Sequence, residues 1–510
     1  MTSTFEQFRE EVGSLKLDDS LLFLNHLLAV AREDSTDPPL KHNLDRLKYP
    51  LPAFIVHSIA KWILLEASNL GVYTLDWARF ERLKNLWIAL PDPIQNDPSW
   101  PTADPTGFFE RLFAQQLPAQ RQIQLRDIGL ALALFRDAGT PVSAEEYHLR
   151  SELEAELGLP IETFMKMGHL CLAIRRATLH SHQIPATFTH MDFVQAWKEG
   201  LTWCDQNVWE PFLRRVACTP QQFRECRNCS EYRVTDVQFI AFEFNPLFRF
   251  PLIEIHTGKF LAVDPRLLIS RVTWGLFYDL FERDRTNFSE RFGDVFARLI
   301  GNMLSSVCPS HSLWSDSEWT GRARPDDPRL KKKRGDWIYK GMDAVVLIEC
   351  KSLRPSLPLT QYGKVEDVQN LVGRVAAALR QVMEQATAIQ QGTWTDEGLP
   401  TFQTACVLLT YGRFNTVNLP FFRRRVRQKL SEQGLPEQPF VILALEEFDM
   451  VIRLVDQGEP LDKVVLELAK VEDSGEVLQR YATQLAQDCV SLFTRHNGGT
   501  FLDSLTSETE

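Results

Sequence analysis

The spacing of apolar residues changes once along this chain, near Phe239, and that change constrains the fold more than any other feature of the sequence. From Phe5 to about Phe212 apolar side chains recur at three- and four-residue intervals, as in Ser20-Leu-Leu-Phe-Leu-Asn-His-Leu-Leu, Trp77-Ala-Arg-Phe-Glu-Arg-Leu-Lys-Asn-Leu-Trp and Leu125-Arg-Asp-Ile-Gly-Leu-Ala-Leu-Ala-Leu-Phe. Such intervals line one face of a helix. They predict an all-α N-terminal region, with a loop over the Pro-rich stretch Pro91 to Pro105. Beyond Phe239 the runs shorten. Strands are expected at 239–244, 251–255 and 259–263, the last two joined by a His256-Thr-Gly258 turn. Helices over about 266–282 and 287–304 follow, then a polar surface loop from Cys308 to Arg334. A strand pair (336–340 and 344–351), a helix (364–391), a strand (403–411), a basic helix (419–433), a strand from Pro439 and terminal helices complete the reading.

This order describes a multidomain chain: an all-α region followed by an α/β domain whose mixed sheet begins antiparallel. The expected divisions are a helical regulatory or recognition region (1–212), a small hairpin and helix module (213–284), an α/β domain (285–435) and a C-terminal strand with helices packing on that domain (436–510). A length of 510 residues supplies ample core for this. The first eleven residues lack the charged and apolar regions of a secretory signal, and the apolar stretch Leu51 to Leu70 is interrupted by His57, Lys61 and Glu66, so no membrane span is expected. Nine cysteines, an odd number in largely apolar surroundings, suit reduced thiols and a cytoplasmic location. One Cys-x-x-Cys pair (Cys226, Cys229), with Cys218 and Cys204 as further thiols, leaves zinc open, since a structural zinc site usually shows two paired ligand groups.

The segment that carries chemistry is Gly335-Asp336-Trp-Ile-Tyr-Lys-Gly-Met-Asp343-Ala-Val-Val-Leu-Ile-Glu349-Cys-Lys351. Strand alternation puts Glu349 and Lys351 on one face. A hairpin turn centred between Met342 and Asp343 sets Asp336 opposite Glu349, and opposite residues share a face. A slip of one residue would abolish the arrangement. Two converging carboxylates repel unless a cation lies between them, and Mg²⁺ prefers oxygen ligands. A lysine beside such a site can orient an attacking water and stabilise charge building on a phosphorus centre. Acids two residues before a lysine are common at strand ends that merely face water. Here, however, Lys351 is the only lysine with Asp or Glu at that spacing, and it ends the most β-like apolar run of the chain.

At these residues the chain resembles the PD-(D/E)XK nuclease superfamily, with its restriction-endonuclease-like fold, over about residues 285–412. The resemblance implies that Asp336, Glu349 and Lys351 form the catalytic set, that Asp336, Glu349 and the carbonyl of Cys350 hold Mg²⁺ or Mn²⁺, and that the substrate is nucleic acid, DNA rather than RNA. The proline that often precedes the first Asp is Gly335 here. The helical Glu of a Phe-Glu pair is missing, because Phe296 is followed by Ala297. Glu290 and Asp294 on the same helix are auxiliary candidates beside the blander reading that they are solvated helix charges. The family's glutamine on the later helix would be Gln381 or Gln369.

The formal net charge of -11 excludes a chain that coats nucleic acid with its whole surface. The balance is local: ten basic residues face five acidic ones between Arg322 and Arg354. Lys331, Lys332, Lys333 and Arg334 there, and Arg423, Arg424 and Arg425 in a second cluster, are the expected phosphate contacts. No nucleotide-binding P-loop, serine-hydrolase elbow or zinc-protease motif is present. The expectation is a metal-dependent endonuclease of the kind seen in bacterial anti-phage defence, with a protein partner or activator meeting the acidic helical region and homo-oligomerisation left open. The competing expectation is a catalytically inactive nuclease fold serving as a nucleic-acid-binding or scaffold subunit.

Overall fold

The computed structural model describes residues 4–32, 37–47, 50–90, 125–141, 147–180, 187–199, 201, 203–229, 233–318, 335–354, 356–362, 365–391, 403–412, 420–470 and 490–506. The expected loop at 91–105 and the basic run 331–334 lie outside them. Among the described residues no helix is long and apolar enough to cross a membrane.

The N-terminal helices Thr4–Gly13, Leu17–Ala31, Ala53–Glu66 and Trp77–Ile88 pack around Phe8, Leu24, Ile59, Trp62 and Phe80. A small sheet of β1 (Thr187–Thr189), β2 (Ala217–Cys218), β3 (Leu252–His256) and β4 (Lys259–Ala262), in the order β1-β4-β3-β2, closes this core. Strand alternation divides its side chains. Ile253, Ile255 and Leu261 join the N-terminal helices, whereas Leu252, Phe260 and Ala262 join the larger core of the rest of the molecule. Because β1 lies at 187–189 and pairs with β4, the sheet crosses the division expected at 212/213. The 256–259 turn requires a left-handed residue, supplied by Gly258 at φ 73°.

Two elements differ from expectation. Residues 239–244 are not a strand: Val237–Phe242 is a 3-10 helix whose N-terminus is capped by Asp236, which accepts from the Gln238 N–H at 3.0 Å. The turn carries Glu243 into the interior, where its buried carboxylate meets Lys61 Nζ at 2.6 Å and Arg227 at 3.2 Å. A strand would alternate past that polar requirement. The helix expected over 266–282 is two helices, Pro265–Val272 and Leu276–Phe281. They break at Thr273, whose hydroxyl donates to the Ile269 carbonyl, and at Gly275, which lies against the Arg271 backbone with no room for a side chain.

The larger sheet runs β5 (Leu313–Ser315), β6 (Trp337–Lys340), β7 (Ala344–Lys351), β8 (Gln403–Thr410) and β9 (Phe440–Ala444) in spatial order. β5, β6 and β7 are antiparallel; β7, β8 and β9 are parallel. β9 thus extends the same sheet. Helix Arg285–Val307 covers the face bearing Ala344, Val346, Ile348 and Cys350, and helices Val365–Gln390 and Pro420–Glu432 cover the face bearing Val345 and Leu347. The first contact is close: the Trp337 indole donates to the Ala297 carbonyl at 2.8 Å and occupies the space beside Gly301 that any side chain would need. The chain is therefore mostly helical with two small mixed sheets, an N-terminal helical region followed by α/β content.

Candidate active site

The hairpin sets the site. Trp337 pairs with Ile348 and Lys340 with Val345, and the Gly341 N–H donates to the Ala344 carbonyl at 2.9 Å across a two-residue loop, Met342-Asp343. One step beyond the last ladder pair, Asp336 falls opposite Glu349, as the sequence pattern requires. Asp336 Oδ2 accepts the Cys350 N–H at 2.7 Å, which fixes the carboxylate against the end of β7. The Glu349 carboxylate is fully buried and ion-paired with Lys351 Nζ, itself 28% exposed. The structure thus brings Asp336, Glu349 and Lys351 to one end of one hairpin.

Two outside residues hold this geometry. Asp462, buried at the start of helix Leu461–Lys470, accepts the N–H groups of Asp343 at 2.8 Å and Ala344 at 3.2 Å. Its carboxylate packs where a Gly341 side chain would stand. Asp462→Ala removes the acceptor of both bonds and is expected to cost about 1–3 kcal/mol. A urea midpoint unchanged within error would show that the turn needs no such support. At the other end, Gln385 Oε1 accepts the Gly335 N–H at 3.3 Å. A side chain at 335 would meet Val382 Cγ1 at 2.8 Å and the Ile348 carbonyl at 3.0 Å. Glycine at the position where the family often has proline therefore follows from packing, and from a donor that proline lacks.

Electrostatics at the hairpin end agree with two gathered acids. Burial pushes the Cys350 thiol well above its ordinary value, and the negative charges of Asp336 and Glu349 push it further. Cys350 is thus an inert thiol whose relevant atoms are those of its backbone.

The auxiliary candidates separate. Alternation turns Glu349 and Lys351 to the sheet face opposite Cys350, which is the face covered by Val365–Gln390. Glu290 and Asp294 lie exposed on Arg285–Val307, the helix that packs on the Cys350 face. That layer order puts their helix on the other face of the sheet from the Glu349 and Lys351 side chains. That helix meets the hairpin end through its backbone: the Ser289 carbonyl accepts from Ser352 Oγ at 3.2 Å and the Ala297 carbonyl from the Trp337 indole at 2.8 Å. Gln381 lies on the helix covering the acid-bearing face, half-buried, one turn from Gln385, whereas Gln369 is exposed three turns away. Gln385 was not singled out by the sequence pattern. Its spacing of four from Gln381 was the available signal.

The second basic cluster needs a correction too. Arg423 is fully buried in helix Pro420–Glu432, donating to the carbonyls of Phe440 at 2.6 Å and Ala469 at 3.2 Å and lying over the Phe440 ring. It ties the helix to β9 and cannot reach a phosphate. Arg424 is exposed and Arg425 half-buried.

Among the described residues no group of three or more His, Cys, Asp or Glu side chains is placed to hold a metal ion. The Cys218, Cys226 and Cys229 thiols therefore form no such set, and Cys204 packs elsewhere, 3.7 Å from Met167 Sδ. At the hairpin end the donor set is two carboxylates with a nearby backbone carbonyl. Hard oxygens of this number suit Mg²⁺, which keeps several waters and takes one or two carboxylates. No protein-family model matches this chain, and no curated protein matches it.

Proposed function

We propose that the chain is a metal-dependent nuclease that hydrolyses phosphodiester bonds, with DNA as substrate. The observation that carries this reading is the pairing of Asp336 with Glu349 across one hairpin, with Lys351 bonded to Glu349. A Glu–Lys pair whose carboxylate is buried is weak support for stability, since apolar residues of similar volume generally do as well. Its retention at the open end of a strand points to chemistry. The hairpin also stands within a sheet covered on its two faces by helices Arg285–Val307 and Val365–Gln390, regular elements that hold a site more rigidly than loops do.

In this reading Asp336 and Glu349 hold Mg²⁺ or Mn²⁺, with the Cys350 carbonyl as a further ligand by resemblance. The bound cation supplies Lewis acidity and lowers the pKa of water. The Cys350 N–H holds Asp336 in place through Oδ2. Glu349 holds the Lys351 ammonium at the partly exposed rim, where it can orient the attacking water and stabilise charge on the phosphoryl oxygens. Gln385 fixes the backbone that carries Asp336.

One observation favours a second reading, a nucleic-acid-binding or scaffold protein without activity: Ala297, not Glu, follows Phe296 on helix Arg285–Val307. The same assay separates the two. Plasmid, single-stranded DNA and RNA are incubated with the full chain in Mg²⁺, Mn²⁺ or EDTA, beside Lys351→Ala. Cleavage that needs the metal and is lost in the variant is expected. Binding without cleavage of any substrate in either metal would overturn the nuclease reading.

A further inference from the structure

The turn between helices Ala53–Glu66 and Trp77–Ile88 holds apolar side chains out in solvent on a fixed backbone. Leu70 is 94% exposed, Val72 75% and Tyr73 47%. Three of the eight exposed large apolar residues among the described ones thus stand within four positions, whereas the other five occur singly along the chain. Single exposed apolar residues are ordinary; a cluster marks an interaction surface. Backbone bonds clamp the turn to residues 14–17: the Val72 N–H donates to the Ser14 carbonyl at 2.9 Å, the Lys16 N–H to the Tyr73 carbonyl at 2.7 Å and the Leu17 N–H to the Ser68 carbonyl at 3.1 Å. Gly71 packs so closely on the Leu15 carbonyl that no side chain fits there. Because the backbone is already ordered, contacts made here are not offset by the entropy of ordering it.

Beside this ridge runs a groove of about 600 Å³ between helices Thr4–Gly13 and Trp77–Ile88, lined by Leu15, Tyr73, Ala78 and Leu83 and by the acids Glu10 and Glu11. The charges around it are unevenly matched. Residues 10–19 and 68–82 carry six acids and three bases. Arg79 lies over the Tyr73 ring and is held by Asp76 at 2.7 Å, and Arg82 is paired with Glu11. Lys16 is the remaining base. Among the described residues Glu10 and Asp19, both exposed, have no cation at ion-pair distance. A face of this charge repels a second copy of itself across a two-fold axis, and it repels anionic lipid. It attracts a partner that brings lysine or arginine beside apolar side chains.

We propose that the ridge of Leu70, Val72 and Tyr73, with the groove beside it, docks a basic amphipathic helix of another protein. The apolar face of that helix lies against the ridge and in the groove, and its cationic side chains meet Glu10 and Asp19. The inference does not depend on the nuclease reading, since the ridge and groove belong to the N-terminal core and the hairpin to the larger sheet. A turn whose side chains are exposed only because the chain must reverse there predicts no difference in binding when they are replaced.

The test is fluorescence anisotropy with the full chain and a labelled helical peptide of leucine and lysine, beside the same peptide with glutamate in place of lysine. The lysine peptide is expected to bind and the glutamate peptide not. The double variant Leu70→Ser/Val72→Ser, at exposed positions where folding is not at stake, is expected to weaken the lysine peptide by about tenfold. Glu10→Lys stands in the last turn of its helix, where a cation is favourable. It is expected to weaken the peptide by about threefold at about 50 mM salt and to differ little from the unaltered chain at about 0.5 M. No binding of the lysine peptide, equal binding of both peptides, or unaltered affinity in both variants would overturn the docking site. Sedimentation velocity and flotation with phosphatidylcholine vesicles address the other occupants. A dimer, or vesicle binding, that the double variant loses overturns the partner helix in favour of a second copy or a lipid surface.

Discussion

Asp336→Asn is expected to reduce metal-dependent cleavage by about a thousandfold, equivalent to ~4 kcal/mol of transition-state stabilisation, while the unfolding midpoint hardly moves. The substitution preserves shape and an oxygen acceptor for the Cys350 N–H, the contact measured at 2.7 Å. It removes only the charge that a divalent cation requires. Lys351→Ala is less clean, because it also strips the buried Glu349 carboxylate of its ion-pair partner. Removing one member of a buried pair can cost about 3–5 kcal/mol, and the partial exposure of Lys351 puts this case at or below the lower end. Single-turnover cleavage rates, read beside thermal melts of both variants, separate chemistry from folding. An Asp336→Asn protein that cleaves at the rate of the unaltered chain removes Asp336 from the site.

The second large effect is expected at Asp264→Ala, far from the hairpin. Asp264 is 1% exposed and receives both Arg32 guanidinium nitrogens, at 2.5 and 2.6 Å, and His57 Nε2 at 2.7 Å. It also accepts the Arg266 N–H at 2.9 Å, capping helix Pro265–Val272. Alanine leaves a half-buried guanidinium without its counter-charge and a helix without its cap, so a loss of about 3 kcal/mol is expected. Burial alone would raise the Asp264 pKa, but the bonds from Arg32 and His57 outweigh it and hold the carboxyl well below its ordinary value of 3.8. A depressed carboxylate stabilises the fold fully above its unfolded-state pKa and loses that contribution as pH falls through the folded one. The stability gap between the unaltered chain and Asp264→Ala should therefore stay constant from about pH 5 to 8 and narrow only in strong acid. Urea unfolding at several pH values checks this. A gap that closes near neutrality would overturn the assignment of the effect to the Asp264 carboxylate.

The hairpin register was legible in the sequence because a two-residue turn between alternating strands admits one centre, and Asp336 and Glu349 are equidistant from it. The layer order was not. Helical periodicity says that Arg285–Val307 has a buried face, but not which side of the sheet that face meets, so it could not place Glu290 and Asp294 relative to the hairpin. Likewise, a run of arginines reads as a solvated surface until a neighbouring strand, here β9, turns out to leave carbonyls that Arg423 can cap. The strands β1, β2 and β5, of two or three residues, are too short for alternation to register. The 3-10 turn before Glu243 answers to partners almost two hundred residues away at Lys61.

The small sheet acts as a shared wall between two interiors, and this bears on how the protein can be taken apart. A fragment starting at Phe239 keeps β3 and β4 but discards β1, β2 and the N-terminal helices that shield Ile253, Ile255 and Leu261. It would present a greasy, half-paired sheet to solvent, inviting edge-to-edge association. Silence or aggregation of such a fragment would report the missing wall, not the chemistry. For the same reason the N-terminal helices are poorly suited to swing away as a detachable flap: one set of peptide planes carries side chains into both interiors. A signal received by those helices would travel as a displacement of β3 and β4 themselves.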